Sequence, residues 1–477
     1  MRRKLGMLGL LLCLAALLCA CNLRSGDDLY ALPRTSVEYD SLRDALQGLL
    51  DGGMEYAAPL SGSNTQPVQD VDLDGDGIGE AVAFFKDGSG LQVYVFRQNE
   101  EGEYQEMAQI TGQGIAVNSV AYSQLDGEGN REIVLSWQIS SGVYALSAYS
   151  VREGSCTVLL EPRNYTKYAV VDLDSDGQDE LILLQMDASD VGGNRAEYYT
   201  YQDGVMALQS EAYLSSDLSV IDRTRASTLF GGENALYVTG YATDEETGEA
   251  STRIQLTDIL ALRGDGLVNI TRDETAASSV RTRRRVYVAD QDLDGDGVWE
   301  IPDISGMYER LEGGQVVLSD TFYLITWCRY DINGGRHVLC STYYNSSDGW
   351  YLVIPNSWRN RIALARSDYS EGVTVERSIQ FYVLKQVDST AESTLEESET
   401  LGASVLTNTT AELFMTICKN TGTDRLTRSV QGGRTVLNTS AEDTVYSVRL
   451  EEDNWFHWTP EKVQQALHII TTNWFND

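Results

Sequence analysis

Short apolar runs broken at regular intervals by glycine, aspartate and serine dominate the chain from Ala57 to about Pro355. Runs such as Ala81-Val-Ala-Phe-Phe85, Ile133-Val-Leu-Ser-Trp137 and Leu181-Ile-Leu-Leu184 are too short for helices and rich in side chains that fit a pleated surface. Turn chemistry separates them, as in Lys86-Asp-Gly-Ser-Gly90 and Tyr201-Gln-Asp-Gly204, so an all-β region is predicted. Helical periodicity is confined to the flanks. From Ser36 to Leu50 the residues Leu42, Ala45, Leu46 and Leu49 share one face, with Gly52-Gly53 as a stop, and the expected partner of that face is the β region. Beyond Ile354-Pro-Asn-Ser-Trp358, strands are expected at 373–384 and 444–450, with a solvated Ser/Thr/Glu-rich loop at 388–400. Thr410–Ile417 has a helix-like pattern that places Cys418 in a core. At the end, Thr459 suits an N-cap, Pro460 the first helical position and Trp458 a staple onto Val463, which predicts a helix through Trp474 with Leu467, Ile470 and Trp474 buried. The fold class expected is mainly β, with a small α+β domain at 356–477.

Charge narrows the functions open to such a fold. Against 36 Lys and Arg stand 71 Asp and Glu, a formal net charge of -35 over 477 residues. A surface this acidic repels phosphate backbones and anionic head groups, so no nucleic-acid partner is expected. With 42% hydrophobic and 9% aromatic residues the chain can bury a large core, and the acid excess is not that of a disordered polymer.

Much of the local acidity sits in one repeated unit. Asp72-Leu-Asp-Gly-Asp-Gly-Ile-Gly-Glu80, Asp172-Leu-Asp-Ser-Asp-Gly-Gln-Asp-Glu180 and Asp292-Leu-Asp-Gly-Asp-Gly-Val-Trp-Glu300 each read D-x-D-x-D-G-x-x-E. A weaker relative, Gln124-Leu-Asp-Gly-Glu-Gly-Asn-Arg-Glu132, has Gln124 and Glu128 in place of aspartates, and a vestige without them lies at 231–238. The starts at 72, 124, 172 and 292 lie 52, 48 and 120 residues apart, and the last gap holds two periods if the vestige counts. A period near fifty to sixty is that of propeller blades.

Calcium chemistry explains the spacing. The ion takes about six to eight oxygens at ~2.3–2.6 Å, and a tight loop offers carboxylates from positions 1, 3 and 5, a carbonyl from 7 and a further carboxylate later. Glycine at position 6, here Gly77, Gly177 and Gly297, allows the turn that folds both halves around one ion. The candidate ligands are Asp72, Asp74, Asp76, the carbonyl of Ile78 and Glu80; Asp172, Asp174, Asp176, the carbonyl of Gln178 and Glu180; and Asp292, Asp294, Asp296, the carbonyl of Val298 and Glu300. Gln124, Asp126, Glu128 and Glu132 form a weaker set. A frame shifted to Asp70 and Asp290 puts Asp76 and Asp296 where glycine is needed and is rejected. EF-hand loops lead into a helix and use glutamate at position 12, where these copies have Ala83, Leu183 and Asp303. Here the acid falls at position 9 and strand-like runs follow.

This loop-then-strand signature resembles the FG-GAP and VCBS repeats of integrin-like β-propellers over roughly residues 57–350, which sets the expected propeller domain at 57–355. The resemblance implies a propeller of about 5–7 blades with calcium between blade strands, and a propeller face that contacts a protein or glycan ligand. The expected role is a non-catalytic binding or scaffold module. The alternative is an extracellular carbohydrate-active enzyme, a lyase or glycosidase using the propeller funnel, and a third reading is a sensor or assembly partner acting through the C-terminal domain.

The N-terminus reads as an address. Arg2, Arg3 and Lys4 precede an apolar stretch from Leu5 to Leu18, too short for a spanning helix of ~20 residues. Leu18-Cys19-Ala20-Cys21 resembles a bacterial lipobox, which implies a signal at 1–20, lipid on Cys21 and a tether at 21–35 before a helix at 36–53. The mature chain then has 33 basic and 71 acidic residues, a net charge of -38, and sits outside the cytoplasmic membrane on its lipid. Of the cysteines left, Cys328 and Cys340 flank the turn Asp331–Gly335, where they either bridge or stay as two buried thiols. No C-x-x-C, G-x-S-x-G, H-E-x-x-H, P-loop or Rossmann glycine pattern occurs, and His337, His457 and His468 are expected in structural or surface roles. Replacing Cys21 with Ala is expected to release the protein from the membrane fraction; undiminished retention contradicts lipidation.

Overall fold

The computed structural model describes residues 40–470 apart from 153–154, 187–192, 245–246, 249, 372–373, 389, 399–400, 402 and 442. The leader, Cys21, the tether, residues 36–39 and Trp474 lie outside the described residues. The described chain is mainly β, in five sheets. It divides into two compact units, one of residues up to Tyr122 with Gly129–Pro162, the other of Ser123–Glu128 with the residues from Arg163 onward.

Four of the sheets are antiparallel meanders of one plan. The first pairs Val68–Val71, Glu80–Asp87, Gly90–Gln98 and Tyr104–Thr111, with the short strand Glu55–Tyr56 added beside Glu80–Asp87. The others contain Ala116–Ser123 to Ser155–Tyr165, Lys167–Val171 to Val205–Tyr213, and Leu218–Thr228 to Gly266–Asn269, each with four strands in chain order. Their second strands are apolar on both sides: Ala81 to Phe85, Ile133 to Leu135 and Leu181 to Leu184 are all fully buried. Such strands read as continuous apolar runs because both faces carry a core. In the first unit one core lies between the first two meanders around Trp137, Phe84 and Leu73, and another under the helix Asp40–Asp51. That helix buries Leu42 and Leu46 against Ala83, Phe85 and Phe96, with Ala45 and Leu49 partly covered, and Gly53 ends it at φ 95°.

The fifth sheet has twelve strands and holds everything from Ile301 onward. It runs without a break across residue 355, because Ile301–Arg310 pairs in parallel with Ile362–Glu371 at Tyr308–Ala363 and Glu309–Leu364. Its core gathers Trp350, Trp358, Phe381, Phe414 and Val463, with Trp358 edge-on to Phe414 at 5.1 Å.

Three local expectations are corrected here. Thr410–Ile417 is not helical: Thr409–Thr421 is a strand between Thr374–Gln386 and Thr444–Leu450, and its run Phe414–Cys418 is buried. Two flanking ladders decide the conformation of a segment whose apolar spacing alone is ambiguous. The terminal helix opens as expected, with the Thr459 hydroxyl accepting from the Lys462 N–H and Pro460 in the first turn, but it spans only Pro460–Ala466. Leu467–Ile469 then pairs with the strand Trp350–Val353, so strand pairing replaces the expected stripe at Leu467 and Ile470. In the stretch 388–400, Leu395–Ser398 is a strand paired with Ala403–Leu406.

Cys328 and Cys340 are free thiols. A bulge sets Cys328 against Val338 and Trp327 against Cys340, so the two sulfurs enter different clusters, one with Tyr237 and Tyr330, the other with Val288 and Trp327. Burial pushes the Cys340 thiol up to about 11.

Trp358 is fully buried against four aromatic rings. Trp358→Ala is expected to cost about 3–5 kcal/mol in denaturant unfolding; a loss under about 1 kcal/mol contradicts this core assignment.

Candidate metal centres

Each strong copy of the acidic repeat connects two antiparallel segments. Val71 pairs with Glu80, Val171 with Glu180 and Gln291 with Glu300, so the first and ninth loop positions are drawn together at the ladder's end. Gly77, Gly177 and Gly297 take φ of 86°, 90° and 87°, which a side chain at that position disfavours. The backbone then folds onto the carboxylates. Asp72 accepts from the Gly75 and Gly77 N–H groups at 2.7 and 3.0 Å, Asp172 from Ser175 and Gly177 at 2.6 and 3.1 Å, and Asp292 from Gly295 and Gly297 at 2.7 and 2.9 Å. The Ile78, Gln178 and Val298 N–H groups donate to Asp76, Asp176 and Asp296. From the far end, Glu80, Glu180 and Glu300 accept from the N–H groups of Leu73, Leu173 and Leu293 at 2.8, 2.8 and 2.6 Å.

Carboxylate oxygens converge as a result. Asp72, Asp74 and Glu80 form one group, Asp172, Asp174, Asp176 and Glu180 a second, and Asp292, Asp294 and Glu300 a third, each with oxygens within 4.8 Å of one another. Asp76 and Asp296 stand outside their groups, whereas Asp176 belongs to its own. Gln124, Asp126, Glu128 and Glu132 are not among the converging groups. Asp126 accepts from the Glu128 N–H, and buried Glu132 lies 3.6 Å from Arg152. Asp290 faces elsewhere, tied to Arg223 and Thr239, in keeping with rejection of the shifted frame.

Neighbouring loops are stitched together along the chain. In the first unit the Arg131 N–H donates to the Leu73 carbonyl at 2.7 Å. In the second unit the Asp179 N–H donates to the Gln124 carbonyl at 2.7 Å, the Asn234 amide to the Asp172 carbonyl at 2.7 Å, and the Thr228 hydroxyl to the Gly297 carbonyl at 2.8 Å. Asn234 belongs to the aspartate-free vestige, and its turn Phe230–Glu233 occupies the same place between first and second strands as the acidic loops.

Electrostatics separates the three groups. Burial raises Glu80 to about 6, with Asp74 and Asp76 adding to the rise and Arg97 opposing it. Burial with Asp174, Asp172 and Asp176 raises Glu180 to about 8. Burial also raises Glu300, against the opposing Arg329. Arg97 reaches Asp74 at 2.7 Å and Asp76 at 3.2 Å, while Arg329 reaches Asp294 at 2.8 Å, Asp296 at 3.0 Å and Glu300. Neither arginine is visible as a partner in the sequence, since one follows its loop glutamate by 17 residues and the other by 29.

The donor sets fit a hard divalent cation. They are all oxygen, and Glu80 Oε1 is buried without a hydrogen-bond donor although its sister oxygen is satisfied. The histidines form no such set: His337 lies 2.7 Å from Asp331 and against Phe230, and His468 stacks on Tyr351.

No family model matches the sequence, and no curated protein is similar to it. Among solved structures the chain is similar to the N-terminal domain of Nup159, with 13% identity, 69% of this chain and 90% of that one covered, and a TM-score of 0.24. It is also similar to a GDP-Man-dependent mannosyltransferase from Leishmania mexicana, with 11% identity, 60% and 88% covered, and a TM-score of 0.20. Scores this low carry no argument about fold or function.

The raised glutamates have a pH signature in protein stripped of divalent ions. A carboxyl whose folded value is raised contributes stability that is full below its ordinary value and lost as pH climbs through the folded one, here about 6 for Glu80 and about 8 for Glu180. The metal-free melting temperature is expected to fall between about pH 5 and pH 9, and Glu180→Gln to flatten the upper part of that fall. A pH-independent melt over this range contradicts the assignment.

Proposed function

We propose that this chain is a lipid-anchored, extracytoplasmic, calcium-binding β-propeller of the FG-GAP/VCBS kind, acting as a non-catalytic binding or scaffold module at the bacterial cell surface. The observation that carries the reading is the recurrence of one loop at one place. Four successive meanders each turn from first to second strand at a copy of the repeat or its vestige, and each such loop is hydrogen-bonded to a neighbour's. Within a unit, meanders joined in this way are the arrangement expected of neighbouring blades.

Within it, calcium has a structural task. Three or four carboxylates held together by backbone N–H groups repel one another, and a divalent ion removes that repulsion while joining the two halves of the turn. The converging carboxylates Asp72, Asp74 and Glu80, Asp172, Asp174, Asp176 and Glu180, and Asp292, Asp294 and Glu300 are the side-chain oxygens open to such an ion, with carbonyls of Ile78, Gln178 and Val298 as further ligands. The lipidated Cys21 sets the location, and a propeller face is the surface offered to a protein or glycan.

Calcium at about a hundredfold excess over Kd adds about 2.7 kcal/mol per site to the folded state. EDTA is therefore expected to lower the melting temperature by several degrees and added calcium to restore it. An unchanged melt, on protein shown to have lost its metal, sinks this reading.

A further inference from the structure

The three acidic loops share a sequence pattern but not an electrostatic state. The difference comes from one position on the strand that follows. Ala81 pairs with Phe96, Leu181 with Tyr199 and Ile301 with Cys328, so the residue across from the loop glutamate is Arg97, Thr200 and Arg329 in turn. At the first and third loops a guanidinium reaches the loop carboxylates, within 3.2 Å of two aspartates in each case. These arginines hold Asp76 and Asp296, the fifth-position carboxylates that stand outside the converging groups. At the second loop the matching Thr200 carries no charge, and Asp176 stays with Asp172, Asp174 and Glu180.

Three further observations mark the second loop as the one that lacks a protein cation of its own. Glu180 is only 4% exposed, and one of its oxygens accepts from Leu173 while the carboxylate as a whole is aimed at three aspartates. The donors that reach Asp176 are neutral, the Gln178 backbone N–H at 2.8 Å and Gln178 Nε2 at 3.0 Å. A cavity of about 380 Å³, lined by Asp174, Asp176, Glu180, Tyr198 and Thr200, opens beside the group and admits a hydrated ion. Arg97 and Arg329, in contrast, are fixed on their strands and are not diluted when free calcium falls.

We propose that Arg97 and Arg329 are tethered counter-ions that take the place of the divalent cation in the first and third loops, leaving the 172–180 loop as the exchangeable calcium site. A divalent ion entering either arginine-filled loop must displace charge-assisted hydrogen bonds and meet a positive charge at short range. The second loop imposes neither cost. Calcium then acts on the sheet Lys167–Tyr213, while the turns at 72–80 and 292–300 stay closed without it.

This inference rests on the cation-binding reading and is tested by calcium titration calorimetry on the apoprotein. The wild-type chain is expected to bind about one ion. Arg97→Thr and Arg329→Thr are each expected to add one site, and Thr200→Arg to lose the wild-type one. Three equivalent ions on the wild-type chain overturn the tethered-counter-ion proposal and leave calcium binding intact. No ion on the wild-type chain overturns both. The wild-type stoichiometry alone decides if a variant fails to fold; folded arginine variants that gain no site also overturn the proposal.

Discussion

A buried glutamate accepting a backbone N–H closes every strong acidic loop, and the arrangement around it follows. Glu80, Glu180 and Glu300 reach back to the leucine N–H at the second loop position, which fixes the loop's width and pulls a carboxylate out of water beside two or three others. Burying a charge among like charges is among the most expensive arrangements a fold can hold. It persists only where the charge is lost by protonation or matched by a cation. Arg97 and Arg329 lie beside the glutamates of two of the loops, whereas in the third burial with Asp174, Asp172 and Asp176 holds Glu180 above its ordinary value.

The sheets make that arrangement affordable. Glu80 and Glu180 begin, and Glu300 immediately precedes, a strand whose next residues are buried, Ala81–Phe85, Leu181–Leu184 and Ile301–Pro302, so each loop is anchored to a buried part of its sheet. Within the first unit a hydrogen bond from Arg131, and within the second those from Asp179, Asn234 and Thr228, tie one loop to the carbonyl of another. The aspartate-free turn is tied to a neighbouring loop by the Asn234 amide, which donates to the Asp172 carbonyl. The total charge of -35 is not explained by these loops, whose carboxylates are a minor share of 71.

The β organisation, the helix at Asp40–Asp51 and the clustering of Asp72, Asp172 and Asp292 with their partners were legible in the chain. Period-2 and continuous apolar runs, glycine at φ near 90° and a nine-residue acidic spacing are local properties, settled within a dozen residues. The C-terminal region was less legible. Thr409–Thr421 and Leu467–Ile469 take their conformation from ladders with Thr374–Gln386 and Trp350–Val353, partners far away in sequence. Their own apolar spacing is compatible with helix as well as strand.

Sequence by itself determined which residues form the acidic loops and that most of their carboxylates converge, all but Asp76 and Asp296, because a tight turn leaves a D-x-D-x-D-G segment few other shapes. Only the tertiary structure decided what meets those oxygens. Arg97, Thr200 and Arg329 lie at unequal distances along the chain from their glutamates, since the hairpins between have different lengths, and register alone brings them to the same point. The same register, broken by a bulge, keeps Cys328 and Cys340 apart where their spacing allowed a bridge. Charge pattern is a local property of the chain; charge balance belongs to the strand alongside.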